Sequence, residues 1–297
     1  MKKLMMILTL FSLGFAGSGN LAGEKAGFVG SNQLLEGLQG AWRASESNLY
    51  ATDGGELWLS LQGNGVFAMA TLTLLGLVVA AFALHYFIVG AKHFNHGGKK
   101  VLAFGFFTRL IHATAALSWV VLVPTGIVMM CGEFFGGGAF VRFCKNAHIV
   151  ANFAFCAAVL PMILVFLKRM LPRLYDIKWL LICGGYLTKE KRPIPAGKFN
   201  AGQKMWFVVA GFGGLAMIVS GLAMLFLNCD ISTLRTLAII HNIGAAVCVV
   251  MFCVHLYMVL FAVKGSLSAM IDGYKSEDEV FHLHNEWHKE LKQKGVF

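Results

Sequence analysis

Five of the ten histidines fall within or at the ends of long apolar runs: His85, His112, His148, His241 and His255. An ionisable side chain in lipid is costly, so by default it marks a functional site. His241 and His255 share the last run and are 14 residues apart. At about 100° per residue that separation is ~40° short of four full helical turns. Both rings therefore face one side of a helix, roughly 21 Å apart along its axis. Two imidazoles near opposite membrane surfaces suit two stacked haem groups. Each six-coordinate haem iron needs two axial ligands, and neutral imidazole is a good one.

The elements that position these rings follow from apolar run length. Val66–Ala91, Leu110–Gly132, Ala147–Leu167, Met205–Cys229 and Thr236–Val263 each exceed the ~20 residues that a membrane helix needs. Backbone groups in lipid must be paired internally, so each is expected to be a helix. The fold class is an all-α integral membrane protein: a four-helix transmembrane bundle with one additional N-terminal transmembrane helix. The shorter apolar stretch Trp179–Leu187 is expected to lie at the interface or to pack on protein.

Composition agrees. Of 297 residues, 57% are hydrophobic and 13% charged, and soluble proteins carry about 25% charged residues. This excludes a disordered chain and an ordinary soluble enzyme. The net charge of +10 would suggest nucleic acid in a soluble protein. Here its distribution gives orientation instead. The segments 92–109, 168–204 and 264–297 hold 18 Lys and Arg, against 5 in 17–65, 133–146 and 229–235. Positive residues stay in the cytoplasm. The expected location is the bacterial cytoplasmic (inner) membrane, with the N-terminus outside, the C-terminus inside and no nucleic-acid partner.

With this orientation, His112 lies near the inner surface at the depth of His255. His148 lies near the outer surface at the depth of His241. The expected pairs are His112–His255 and His148–His241. His85 has no partner left and reads as structural or interfacial. His93, His96, His282, His284 and His288 read as solvated. Gly126, Gly213, Gly214, Gly221 and Gly244 would let helices or a flat macrocycle approach closely. Arg109 or Lys204 could pair with a haem propionate; the alternative, slightly favoured, is snorkelling to the interface.

The chain from about Phe106 to Gly273 resembles the gamma subunit, cytochrome b556, of membrane-bound respiratory formate dehydrogenase. The stretches that carry the resemblance are RLIH (Arg109–His112), NAH (Asn146–His148), GKFNAGQK (Gly197–Lys204), IHNIG (Ile240–Gly244) and HLYMVLFAVKGSLSAMIDG (His255–Gly273). The histidine pattern alone would also suit cytochrome b subunits of nickel-iron hydrogenase or thiosulfate reductase. A reading of another class is a haem-free helical anchor or transporter.

The resemblance implies two haem b groups with His112, His148, His241 and His255 as axial ligands of the haem iron. It implies a quinone site, with menaquinone the first expectation, at Asn200, Gly202 and Gln203. Without the resemblance, Asn200 is simply a helix N-cap. The implied partners are membrane lipid, an iron–sulfur beta subunit and a molybdenum or tungsten catalytic alpha subunit. The chain would have no catalytic residues of its own; it would pass electrons from the iron–sulfur subunit across the membrane to quinone.

The expected organisation is a signal peptide over 1–18, read from Lys2 and Lys3 before a short apolar run, an exported segment over 19–65, the extra helix over 66–91, the dihaem core over 105–265 and a cytoplasmic tail over 266–297. The extension before the core has no counterpart in the resemblance. Short helices are expected near Leu34 and Leu57. The seven cysteines follow no metal-ligand spacing. Cys131 and Cys144 lie on the oxidising side, where a disulfide is conceivable.

Overall fold

The structure, a computed structural model, describes residues 55–63, 65–132 and 134–297. The expected signal peptide and the helix near Leu34 lie outside the described residues. The chain divides into two compact units, Met1–Glu56 and Leu57–Phe297. The elements labelled below belong to the second. The short helical segment expected near Leu57 is present as Gly55–Trp58 followed by Leu59–Gly63.

Among the described residues, five helices are long and apolar enough to cross a membrane. We label them α1 (Val66–Ile88), α2 (Phe106–Met130), α3 (Gly138–Met170), α5 (Ala201–Phe226) and α6 (Ile231–Ala262). The protein is a multi-pass, mainly α-helical membrane protein. A short helix α4 (Leu174–Leu181) joins α3 to α5. Beyond α6 come strand β2 (Tyr274–Ser276) and helices α7 (Glu277–Leu283) and α8 (Asn285–Gln293).

The boundaries differ from the apolar runs in an instructive way. α3 starts at Gly138, well before Ala147, so the loop expected over 133–146 is mostly helix. Arg142 and Lys145 interrupt the apolar pattern without interrupting the backbone, because a helix continues past the hydrocarbon wherever its polar side chains reach water. α5 and α6 each contain a wide π turn, at Val208–Gly213 and Met258–Ala262.

α4 is amphipathic. Leu174, Ile177 and Leu181 are exposed on one side, while Asp176 and Trp179 are buried on the other. It therefore both packs on protein and presents an apolar face suited to an interface.

The tail departs most from expectation. Strand β1 (Lys100–Leu102), in the connection between α1 and α2, pairs antiparallel with β2, Lys100 opposite Ser276. Val280, Trp287 and Leu291 join the same hydrophobic core as Phe155, Phe166 and Phe252 of the bundle. His284 and His288 are buried, not solvated. Contacts within the tail and with distant segments combine: Lys275 pairs with Glu279 in the buried turn, Ser276 Oγ caps α7 by accepting from the Glu279 N–H, and the apolar face of α7 and α8 closes on the bundle end. The tail is thus a folded cap. The end of the bundle that it covers is called the tail end below, and the opposite end the far end.

Candidate functional site

At the tail end, α2 carries His112 and α6 carries His255. Their ring centroids are 6.4 Å apart with planes at 60°. Trp206 of α5 stacks on His255, centroids 5.0 Å apart and planes at 14°. Arg109 lies one turn before His112. Its Nη1 donates to the Ile271 carbonyl, and its buried Nε has no partner among the described residues.

Lys204 behaves differently from Arg109. It does not snorkel. Its Nζ donates to Asp176 Oδ2 at 2.6 Å and to the Leu171 carbonyl at 3.1 Å, and both members of the ion pair are buried. Asp176 Oδ2 also accepts from the Arg173 N–H that opens α4. The pair ties α4 to the start of α5.

The NAGQ stretch begins α5 with a reciprocal capping box. Asn200 Oδ1 accepts from the Gln203 N–H, and Gln203 Oε1 accepts from the Asn200 N–H, each at 2.9 Å. Backbone donors demand acceptors, so both side chains turn their oxygens inward. Their NH2 groups are left as donors. Gly202 lies against Trp179: a Cβ there would come 2.9 Å from the ring.

At the far end, His148 of α3 and His241 of α6 line one cavity of about 230 Å³, together with Trp119, Gly126, Gly214 and Cys248. Each ring is held in the same way by a neighbouring helix. Thr125 Oγ1 lies 3.0 Å from His148 Nδ1, and Ser220 Oγ lies 2.9 Å from His241 Nδ1. The next residue in each case is a glycine against the same ring. A Cβ at Gly126 or at Gly221 would lie 3.4 Å from Cε1 of its histidine. Gly214 and Gly244 permit close packing on Phe155 and Met217, whereas a Cβ at Gly213 would meet nothing closer than 3.9 Å. The buried Trp119 Nε1 has no partner among the described residues.

The structure thus brings His112 and His255 face to face at one end of α6, and His148 and His241 onto one cavity at the other. His85 stands apart. Its Nε2–H donates to the Tyr186 carbonyl at 2.8 Å, so its Nδ1 accepts from the Tyr257 hydroxyl. Phe82 stacks on the same tyrosine, centroids 4.3 Å apart. His85 pins α1 to α6, the structural reading expected of it. Cys131 and Cys144 are both buried free thiols. Trp206, Thr125 and Ser220 were not anticipated. The signal available for the last two was a hydroxyl residue before a glycine inside an apolar run.

Residues 103–273 match the prokaryotic cytochrome b561 family. The chain belongs to that family. It is therefore a membrane-spanning electron-transfer protein of the haem b type. Among its relatives is the cytochrome b556(Fdn) subunit of the nitrate-inducible formate dehydrogenase of Escherichia coli, 26% identical over 66% of this chain and 93% of that one. The formate dehydrogenase cytochrome b556 subunit of Haemophilus influenzae is 25% identical over 62% of this chain and 84% of its own length. The cytochrome b556(fdo) subunit of Escherichia coli is 29% identical over 33% of this chain and 47% of that one. In this prokaryotic cytochrome b561, the matched stretch contains all four paired histidines and the NAGQ turn, and it leaves α1 outside.

Proposed function

We propose that this chain is the dihaem b membrane subunit of a formate dehydrogenase complex, carrying electrons from an iron–sulfur partner at the far end to quinone at the tail end. The observation that carries the reading is the placement of the four histidines: His112 against His255 at one end of α6, and His148 with His241 on one cavity at the other.

The residues fit haem b. An iron bonded at about 2 Å to a nitrogen of each ring needs centroids about 6 Å apart, and His112–His255 measures 6.4 Å. Among the described residues, no group of three or more His, Cys, Asp or Glu could hold a bare metal ion. Paired imidazoles suit an iron whose four other positions belong to a macrocycle. Gly126 and Gly221 keep their histidines free of side-chain crowding. Arg109, with its unpartnered buried Nε, is the cation available to a propionate at the tail end; Lys204 is already engaged. Bound haem supplies one-electron transfer, and the protein supplies ligands, orientation and an apolar surround.

The quinone site belongs beside His255. Trp206 stacks on that ring, and Gln203 lies one turn earlier on the same helix. The amide NH2 groups of Asn200 and Gln203 can donate to a quinone carbonyl. The basic excess at the tail end orients the chain with that end in the cytoplasm. Protons for the quinol are then taken from the cytoplasm, and turnover charges the membrane.

The test is spectroscopic. The complex purified from native membranes should contain two haem b per copy of this chain, both reduced by formate. Absence of b-type absorbance overturns the haem assignment. Haem reduced by hydrogen and not by formate overturns the formate dehydrogenase partner and favours a hydrogenase.

A further inference from the structure

The far-end histidines share a feature that the tail-end ones lack. Thr125 Oγ1 donates its only proton to the Val121 carbonyl at 2.6 Å, and Ser220 Oγ donates to the Ala216 carbonyl at 2.9 Å. These are bonds back to the preceding helical turn. Each oxygen is then an acceptor, so the histidine Nδ1 facing it must carry the ring proton. His148 and His241 are thereby set as Nδ1–H tautomers, with Nε2 unprotonated and ready to bind iron. The arrangement is not general to helical hydroxyls here. Thr114, Ser118 and Thr236 make the same backbone bond with no histidine against them. Among the described residues, no hydrogen bond reaches the ring of His112 or His255; an indole stacks on the latter instead.

We propose that Thr125 and Ser220 are positioning residues that fix the far-end ligands and give the far-end haem the lower reduction potential of the two. This rests on the axial roles proposed above. A hydrogen bond from Nδ1–H raises the basicity of the ligating nitrogen. A more basic ligand favours ferric over ferrous iron, and second-shell bonding is one of the levers that sets a haem potential. With such bonds on both ligands at one end and on neither at the other, an electron runs downhill from far end to tail end. The same arrangement opposes its return.

The test is a potentiometric titration of the purified complex, following the b-type absorbance. Thr125→Val and Ser220→Ala should each raise the lower midpoint potential, and the double variant should raise it further, with the higher midpoint unchanged. Thr125→Ser should leave both in place. Unchanged midpoints at full haem content overturn the proposal. If Thr125→Val loses a haem that Thr125→Ser retains, the hydroxyl is confirmed as the positioning group; loss in both overturns it. His148→Ala distinguishes the underlying reading: if both haems survive that change, the ligand assignment fails first.

Discussion

His112 and His255 approach from two helices to 6.4 Å between ring centroids, while the Trp206 ring stacks on the second at 5.0 Å. The pair is complete without any residue of the far-end cavity. Substituting His255 or His112 with Ala should therefore remove one haem and leave the other measurable. Substituting His148 or His241 should remove the other. Two intact haems after any one of these changes count against that residue as a ligand.

The capping box allows two roles of Asn200 and Gln203 to be separated. Asn200→Asp and Gln203→Glu keep the oxygen that caps α5 and remove the amide donors. Helix stability and formate-driven haem reduction should be preserved, and quinone reduction should slow by tenfold or more, on the order of one lost hydrogen bond to a carbonyl. Asn200→Ala should cost about 1 kcal/mol of stability in addition. Unchanged quinone kinetics in the two acidic variants would remove these residues from the quinone site.

The Lys204–Asp176 pair is buried on both sides at 2.6 Å. Breaking it from one side strands a charge away from water. Lys204→Ala should destabilise the protein by about 3–5 kcal/mol, read as a lowered Tm in detergent. The double change Lys204→Met with Asp176→Leu should recover much of the loss, since replacing both partners by apolar groups removes the stranded charge.

His284 is sealed inside the tail cap and donates through Nδ1–H to the Gly197 carbonyl at 2.8 Å. Burial, reinforced by the Lys275 charge, pushes its pKa down to about 3. Above pH 6.5 the ring is neutral both folded and unfolded. As pH falls below 6.5, only the unfolded ring takes up a proton, so the cap loses stability by up to about 1.4 kcal/mol per pH unit until the folded ring titrates. Amide protection factors in α7 and α8, which are exchange rates corrected for the intrinsic pH dependence, should therefore fall on acidification from pH 7 to 4.5. His284→Asn should flatten that dependence; an equally steep profile in the variant would assign it to another group.

The helices and the histidine pairing were legible because lipid makes both conspicuous. An uncharged run of twenty residues has few alternatives, and a histidine inside it has a cost that demands a reason. What escaped reading came from contacts between distant segments. The burial of His284 and His288 depends on β1 reaching β2 and on Trp287 joining the bundle core, and the charged pattern of 275–294 gives no hint of either. Ser220 meets His241 across two helices, a contact that spacing within one apolar run does not reveal. Asn200 was legible as a helix cap from the residues around it.

α1 lies along α6, with Thr71 at the far-end cavity and His85 at Tyr257 near the other end. The flank of α6 beneath it is occupied along most of the membrane's thickness. A second copy of the chain, or a partner's anchoring helix, cannot seat itself there without displacing a helix fixed by two polar bonds. A helix that approaches the bundle from this side must therefore meet α1 itself, whose Leu77, Leu84 and Phe87 are exposed.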